Sequence, residues 1–339
     1  MKAEVVVVGA GVNGLAAAWA LARQGRDVLV LEQFPLGHAR GSSHGTSRIF
    51  RLSYPETQWV RLAQEAFEGW RELEEQTGTR LLELNGLVEL VAEPREGSAN
   101  ALDECGIEWE LLGNDEAERR FPISVPDGLQ AVLQQQGGYV RADRALEAFA
   151  RGLQVVPETK VLSLDPLDTS AGRIEAQAVV VTAGPWAKEL LAGIVDLPVV
   201  ATRETVGYFR LDSEKPVPSV VDFKPESNLH GTYALAAPAV GVKIGSHKSG
   251  PPSDPDSEDS PDPTIVEQVA AVVAERFPDA DPAPVKAETC FYTNTHDDRF
   301  ILERHDRIVV GSACSGHGFK FAPAVGNRLA ALAAEALDS

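Results

Sequence analysis

The sequence predicts an α/β protein with two domains, and its first 32 residues, its later strand-like runs and its length support this prediction. An apolar run at residues 4–8 leads into a glycine-rich turn, Gly-Ala-Gly-Val-Asn-Gly, at residues 9–14. An alanine-rich helical stretch then reaches Gly25, and a second apolar run, Val28–Leu31, ends in Glu32. This order of strand, turn, helix, strand and acid predicts a Rossmann-type domain that binds a dinucleotide.

Each part of this motif has a physical reason. Gly9 permits the tight turn, Gly11 lets the backbone approach a pyrophosphate, and Gly14 lets the helix pack closely on the strand. The helix N-terminus presents N–H groups to the anion, and Glu32 is placed to accept hydrogen bonds from a ribose hydroxyl. A glycine turn in an ordinary α/β protein is the alternative, but it leaves Glu32 unexplained. The residues predicted to hold the dinucleotide here are Gly9, Gly11, Val12, Asn13, Gly14, Glu32 and Gln33.

Length and composition limit the function classes. A chain of 339 residues, 44% of them hydrophobic, has enough apolar material for two buried cores. The net charge of −19 argues against nucleic acid and an anionic membrane as partners, and we interpret it as a contribution to solubility. Three cysteines are too few for a disulfide framework, and no metal-binding spacing occurs. Because no signal peptide or membrane-spanning segment is recognisable, we expect a cytoplasmic location.

Two further strand signals lie downstream of the first motif. Residues 178–182 form a buried-type strand, and residues 308–310 form another before a helix at about 324–337. If all three pieces share one sheet, the dinucleotide-binding domain is discontinuous, and a second domain with its own sheet is inserted into it. A mixed or antiparallel second sheet is predicted from the strand-like runs 81–91, 199–211 and 232–244, and an exposed loop from residues 249–263. The predicted boundaries are 1–79, 138–195 and 298–339 for the first domain and 80–137 and 196–297 for the second.

Four short clusters contain side chains that could carry chemistry. Residues 41–51 combine glycines, hydroxyls, a histidine and two arginines, which suits a loop around phosphates or a ring edge, although a polar surface loop is the alternative. Cys290 begins a second cluster and could equally be a buried strand cysteine. Lys243 lies in an apolar stretch, where it would be a buried cation if it faces the space between the domains. The fourth cluster, residues 315–321, is a glycine-rich turn that contains a lysine.

These four clusters, in this order, resemble the monomeric sarcosine oxidase family of flavin amine oxidases, which includes N-methyltryptophan oxidase and pipecolate oxidase. The resemblance covers essentially the whole chain. Its most specific parts are Cys-Phe-Tyr-Thr-Asn-Thr at residues 290–295 and Ser-Gly-His-Gly-Phe-Lys-Phe at residues 315–321. The resemblance implies a D-amino-acid-oxidase-like fold, in which a Rossmann-type FAD-binding domain carries a second, mixed or antiparallel-sheet substrate domain. It also implies that FAD is bound covalently, through its 8α-methyl group, to the sulfur of Cys290.

The resemblance further implies roles for individual residues. Arg51 and Lys320 match the pair that binds the substrate carboxylate, and two cations on one anion would fix its orientation. Lys243 matches the lysine over the flavin ring that promotes reaction with oxygen. Side chains that match the surroundings of the substrate are His247 and Tyr292. The remaining residues implied to bind the cofactor are Ser42, Ser43, His44, Arg48, Val161, Ala183, Gly184, Trp186, Gly316, Gly318, Phe319 and Lys320.

The reaction implied by the resemblance is oxidation of a secondary-amine amino acid such as sarcosine. Hydride would pass to flavin N5, oxygen would be reduced to hydrogen peroxide, and the imine would hydrolyse to formaldehyde and a primary amino acid. The expected partners are therefore a small amino acid and oxygen, and the expected state is a monomer. A deaminating or cyclic imino-acid oxidase or dehydrogenase, acting on substrates such as pipecolate or proline, remains an alternative. A flavoprotein subunit without catalysis is the second alternative.

Overall fold

The computed structural model describes residues 2–222, 231–258 and 260–338, so Asp259 of the predicted loop 249–263 lies outside the described residues. The α-helices are α1 (Val12–Arg23), α2 (Thr57–Thr77), α3 (Ala99–Glu104), α4 (Asn114–Arg120), α5 (Ala142–Ala150), α6 (Ala187–Leu190), α7 (Pro263–Arg276) and α8 (Ala322–Leu337). Short 3₁₀ turns occur at Pro94–Glu96, Gly184–Trp186 and Phe319–Phe321. The strands of the amino-terminal half are β1 (Lys2–Val8), β2 (Val28–Leu31), β3 (Arg48–Phe50), β4 (Leu82–Glu83), β5 (Leu87–Val91), β6 (Glu110–Leu112), β7 (Gln130–Gln134), β8 (Gly138–Val140), β9 (Gln154–Val156), β10 (Val161–Leu164) and β11 (Leu167–Thr169). The remaining strands are β12 (Gly172–Arg173), β13 (Glu175–Val181), β14 (Val200–Leu211), β15 (Ser219–Asp222), β16 (Thr232–Ala237), β17 (Gly241–Ser246), β18 (Ala280–Asn294), β19 (Ile301–His305) and β20 (Ile308–Ser312).

The first large sheet has the strand order β19-β20-β13-β1-β2-β9. All its pairs are parallel except β19 with β20, so the three strand signals seen in the sequence share one sheet, as predicted. Alternate residues of β1 enter different apolar layers, because side chains alternate across a strand. Val5 and Val7 pack in the layer of α1 and α8, whereas Val6 and Val8 pack in a layer with β10 and β11. Burial on both faces explains why these strands read as continuous apolar runs.

Helices α1 and α8 lie against each other on this sheet. Gly326 of α8 faces the backbone of Ala16, and a Cβ atom there would come 2.6 Å from the alanine carbonyl oxygen. The alanine-rich sequences of both helices permit this close approach, since small side chains let helix backbones come together. The first and last helices of the described chain therefore form one layer over the dinucleotide motif.

The second large sheet has the strand order β18-β14-β17-β16-β15-β5-β7-β6. It is mixed, because β15 pairs with β5 in parallel and every other pair is antiparallel. The predicted run 232–244 divides into the two strands β16 and β17, which form a hairpin. Helix α7 covers one face, where Val269 and Val273 join the apolar cluster of Phe209 and Ile244.

The strands of the first sheet come from the segments predicted for the dinucleotide-binding domain, and those of the second sheet from the inserted segments. A small third sheet, β3-β8-β4, joins strands from both sets, and β10–β12 form a further three-stranded sheet. The domain boundaries themselves stay a prediction. Among the helices that the structure describes, none is long and apolar enough to cross a membrane. The described residues also contain no group of histidine, cysteine or acidic side chains that could hold a metal ion.

Candidate active site

Strand register brings three of the four sequence clusters to one surface. Tyr208 of β14 is paired with Lys243 of β17 on one side and with Lys286 of β18 on the other. Because alternate residues of a strand share a face, Cys290 and Tyr292 lie on the same face as Lys243, opposite α7. We call this surface the polar sheet face, and its members are Glu204, Tyr208, Tyr233, Lys243, Lys286, Glu288, Cys290 and Tyr292.

Lys243 is buried. The sequence predicts a buried cation here for the case in which the side chain faces the interior. It is 5% exposed, and its Nζ lies 5.5 Å from the centre of the Tyr208 ring. Burial and the neighbouring charge of Arg48 lower the pKa of Lys243 to about 7, while Cys290 and Glu288 act in the opposite direction. A lysine with a pKa near neutrality, held inside a protein, can take up and release a proton during a reaction.

The loop of residues 41–51 docks on the polar sheet face. His44 Nε2 lies 3.0 Å from the carbonyl oxygen of Thr289, and Ser42 donates a hydrogen bond to the Phe291 carbonyl. Arg48 donates to the carbonyl oxygens of Ser42 and Ser47 at 2.8 and 2.9 Å. Burial, followed by the charges of Arg48 and Lys243, lowers the pKa of His44 to about 4, so this imidazole is neutral at physiological pH.

Cys290 lies half-buried in the middle of β18, paired with Glu204 across the strands. Burial raises the pKa of its thiol, and the nearby cations Arg48 and Lys243 favour the thiolate. Cys314 lines the cavity described next, and its sulfur accepts a hydrogen bond from the Thr293 N–H at 3.4 Å. The structure thus places two free cysteines in this region.

A cavity of about 1000 Å³ begins at the ends of β1 and β13 and extends along the glycine turn. The carboxyl ends of parallel strands are where α/β sheets bind ligands. Predicted cofactor residues that line it are Gly9, Gly11, Val12, Asn13, Glu32, Gln33, Ser42, Ser43, His44, Val161, Ala183, Gly184, Trp186 and Phe319. Predicted residues outside its walls are Gly14, Arg48, Arg51, Lys243, His247, Cys290, Tyr292, Gly316, Gly318 and Lys320.

The glycine turn has the shape that a bound dinucleotide requires. Gly9 has a φ of +101°, and a Cβ atom on Gly14 would overlap the carbonyl oxygen of Gly9. A Cβ atom on Gly11 would come 3.3 Å from the Ser43 hydroxyl, which itself accepts a hydrogen bond from the N–H of Val12. The Oδ1 atom of Asn13 is buried and has no hydrogen-bond partner among the described residues. An orphaned acceptor beside the cavity suits a ligand hydroxyl, so the residues fit FAD.

Glu32 lies at the far end of the same cavity. Its carboxylate accepts hydrogen bonds from the backbone N–H groups of Ala10 and Phe34 at 2.9 and 3.0 Å, and His38 Nε2 lies 3.4 Å away. Burial raises the pKa of this carboxyl, but the His38 contact and the two backbone donors outweigh it, and the pKa is lowered. Glu32 therefore stays ionised and fixes the two backbone segments that border the predicted ribose site.

Arg51 and Lys320 meet at the ring of Tyr54. The guanidinium carbon of Arg51 lies 4.2 Å from the ring centre, and Lys320 Nζ lies 5.7 Å from it. Lys320 is 2% exposed and donates a hydrogen bond to the His317 carbonyl at 2.9 Å. Burial, and then the charge of Arg51, lowers the pKa of Lys320. An anion bound between the two cations would restore the protonated state of the lysine.

His247 and Tyr292 form an aromatic wall beside the glycine-rich turn of residues 315–321. Their ring centres are 5.6 Å apart, and both rings border Gly316, which has a φ of +75°. Burial raises the pKa of Tyr292, which forms a hydrogen bond with Tyr233 of the neighbouring hairpin. At Gly318, a Cβ atom would overlap the Ala313 carbonyl. The two glycines thus allow the turn to pack tightly against this wall.

The comparison with known proteins identifies the family. Residues 4–332 match the family described as DAO: FAD dependent oxidoreductase. The chain belongs to this family. Human peroxisomal sarcosine oxidase is 34% identical over 358 residues, which cover 96% of this chain and 90% of the relative. Monomeric sarcosine oxidase from Bacillus sp. (strain B-0618) is 32% identical, and the match covers 97% of this chain and 92% of the relative.

Solved structures agree with this membership of the FAD-dependent oxidoreductase family. The open form of NikD, an amino acid oxidase essential for nikkomycin biosynthesis, has a TM-score of 0.87 at 26% identity and covers 100% of this chain and 95% of its own. L-proline dehydrogenase from P. horikoshii has a TM-score of 0.84 at 22% identity, covering 98% and 93%, and shares the fold. The predicted fold, the resemblance to sarcosine oxidases, the FAD cofactor and the amine-oxidase class are confirmed.

Sequence reasoning missed several residues of this FAD-dependent oxidoreductase. Glu204 and Tyr208 belong to the polar sheet face through β14, whose register no local pattern reveals. Glu288 lies two positions before Cys290, so the alternation of a strand could have placed it on the same face. Tyr54, three positions after Arg51, gave no signal of its own, and only the structure shows that both cations lie against its ring.

Proposed function

We propose that this protein is an FAD-dependent oxidase of small secondary-amine amino acids, such as the N-methyl amino acid sarcosine. The observation that carries the proposal is the pair of cations, Arg51 and the buried Lys320, on the ring of Tyr54. Two relatives that are more than 30% identical over nearly the full chain are sarcosine oxidases, which supports the same substrate class.

The two cations bind and orient the substrate carboxylate. Charge-assisted hydrogen bonds from Arg51 and Lys320 fix the α-carbon and the amine relative to the cofactor. Their positive charge also disfavours the substrate ammonium group, which loses its proton more easily and leaves a neutral amine. His247 and Tyr292 border this position and limit the size of the group attached to the α-carbon or to nitrogen.

A flavin held by the residues of the cavity and the polar sheet face would supply a hydride acceptor at N5, and oxygen, on taking up two electrons and two protons, would become hydrogen peroxide. Lys243, when protonated, supplies a fixed positive charge that stabilises the superoxide formed as oxygen accepts its first electron. The imine leaves and hydrolyses in water, so an N-methyl substrate gives formaldehyde and the primary amino acid.

We further propose that Cys290 is the covalent attachment point of the flavin. Its position on the polar sheet face, with Arg48 and Lys243 favouring the thiolate, supports this role, because the thiolate is the reactive form. A monomer is proposed from the names of the bacterial relatives, and a cytoplasmic location from the free thiols of all three cysteines.

Anaerobic bleaching of the visible flavin band tests the substrate class. A panel would pair sarcosine, other N-methyl amino acids and cyclic imino acids with the corresponding primary amino acids. Bleaching by the N-methyl compounds, with formaldehyde released on turnover, supports the proposal. Bleaching only by primary amino acids would assign a deaminating oxidase instead, and bleaching only by cyclic imino acids a pipecolate- or proline-type enzyme.

A further inference from the structure

Glu288 is held in a fixed position on the polar sheet face by two neighbours. Tyr208 donates a hydrogen bond to Glu288 Oε2 at 2.6 Å, and Lys286 donates to Oε1 at 2.6 Å. Both carboxylate oxygens therefore have a partner, and the burial of Tyr208 restricts how far the acid can move. The role proposed for the site assigns no function to this arrangement.

The ring of Tyr208 lies close to two lysines, and its hydroxyl group binds this carboxylate. Lys243 Nζ lies 5.5 Å from the ring centre of Tyr208, and Lys286 Nζ lies 4.3 Å from it. Strand pairing explains the geometry, because Tyr208 is the register partner of both lysines on its two neighbouring strands. Glu288, two positions along β18, then reaches the tyrosine hydroxyl from the same face.

Charged groups on two elements act on Lys243. Arg48, from the docked loop, and Lys286, from β18, disfavour its protonated form. Cys290 and Glu288, both from β18, favour it, and Glu288 is the carboxylate of this set. Lys243 and Lys286 reciprocally favour the ionised form of Glu288. Glu288 is therefore a negative charge among cations. These cations together favour the deprotonated form of Lys243, and Glu288 opposes them.

We propose that Glu288 is a positioning residue that keeps Lys243 protonated, while Tyr208 and Lys286 fix the carboxylate at the required place. The inference rests on the proposed function, in which protonated Lys243 promotes the reaction with oxygen. Lys286 has a double effect, since it binds Glu288 and also repels the charge on Lys243. Because these two effects oppose each other, removal of Glu288 is the direct test, and it should shift the proton equilibrium of Lys243 towards the neutral amine.

Lysine side-chain NMR of the isotope-labelled holoprotein, with the flavin oxidised and no substrate present, tests this inference without turnover. The Lys243 signal, assigned by its loss in Lys243→Met, would be followed through a pH titration. In Glu288→Gln its midpoint should fall by about half a pH unit or more. Because the Glu288 side chain is 30% exposed, added salt should reduce this shift.

The outcomes separate this inference from the proposed function. A midpoint that stays the same or rises in Glu288→Gln overturns the role of Glu288. A second measurement follows the rate of flavin reoxidation by oxygen against pH in the holoprotein, where the half-maximal pH should move with the NMR midpoint. If the NMR midpoint moves while the reoxidation profile does not, Glu288 controls the lysine, but the oxygen role of Lys243 is wrong.

Discussion

Gly316 borders Tyr292 so closely that a Cβ atom on the glycine would overlap the tyrosine ring. The same atom would come 2.7 Å from Cε1 of His247, and the glycine has a φ of +75°. One backbone position thus sets the separation between the glycine-rich turn and the aromatic wall. At the substrate site proposed beside Lys320, we therefore expect the available space to depend on Gly316 as well as on the two aromatic side chains.

Gly316→Ala should raise KM and lower the stability of the protein. The alanine carries both the left-handed backbone strain, about 1–2 kcal/mol, and an overpacking cost of about 1–3 kcal/mol. Gly152→Ala is the matched control, because Gly152 has a φ of +80° but nothing within 4 Å of an added Cβ atom. Thermal unfolding and steady-state kinetics of both variants would be compared. Equal effects on KM would show that the aromatic wall does not border the substrate.

Lys320→Met should remove most of the preference for a carboxylate. A charge-assisted hydrogen bond contributes about 1.5–3 kcal/mol, so KM for sarcosine should rise by about 10- to 150-fold. Sarcosine amide is the matched substrate, since it has the same size without the negative charge. The ratio of kcat/KM for the acid to that for the amide should fall in the variant. An unchanged ratio would place the carboxylate elsewhere.

Lys243→Met should slow flavin reoxidation by oxygen by about 10²- to 10³-fold, by analogy with loss of one oxyanion-stabilising donor. Flavin reduction by substrate should change little, because Lys243 is not part of the carboxylate site. In the wild type, reoxidation should slow as pH rises through about 7, since the protonated lysine is the active form. Stopped-flow measurement of the two half-reactions checks this, and equal losses in both would contradict the assignment.

Cys290→Ala should give a protein whose flavin is released on denaturation, whereas the wild-type flavin stays attached. Cys314→Ser is the control, because Cys314 lines the cavity and is also a free thiol. Precipitation with acid followed by the absorbance of the supernatant distinguishes the two. Flavin retained in Cys290→Ala but released in Cys314→Ser would transfer the attachment to the second cysteine, and release from the wild type would exclude a covalent link.

Local patterns predicted the dinucleotide motif because its signals are close together in the chain. Val28–Leu31 was predicted with its observed bounds, since a strand buried on both faces is a continuous apolar run. The helix expected at about 324–337 begins at Ala322, two positions earlier, where Pro323 occupies its first turn. For these elements, burial and backbone preference act within a few residues, so the sequence contains what is needed to place them.

The arrangement of the active site could not be predicted in the same way. Lys243 and Cys290 share a face because β14 pairs with both of their strands. A local sequence pattern does not reveal the register between strands that are distant in the chain. The roles of the Glu288 carboxylate and the Tyr54 ring depend on their contacts with other side chains, and these contacts are visible only in the structure. The resemblance supplied candidate residues, whereas the structure supplied their partners and charges.

The order of strands in the first large sheet affects how the chain folds during its synthesis on the ribosome. Strand β13 is flanked by β1 on one side and by β20 on the other, and α8 covers α1. Until residues 308–337 have been translated, one edge of β13 has no partner strand, and the alanine-rich face of α1 is not yet packed against α8. The nascent chain therefore lacks β20 and α8 during most of its elongation. We expect a chaperone to bind the exposed apolar surface until residues 308–337 have emerged.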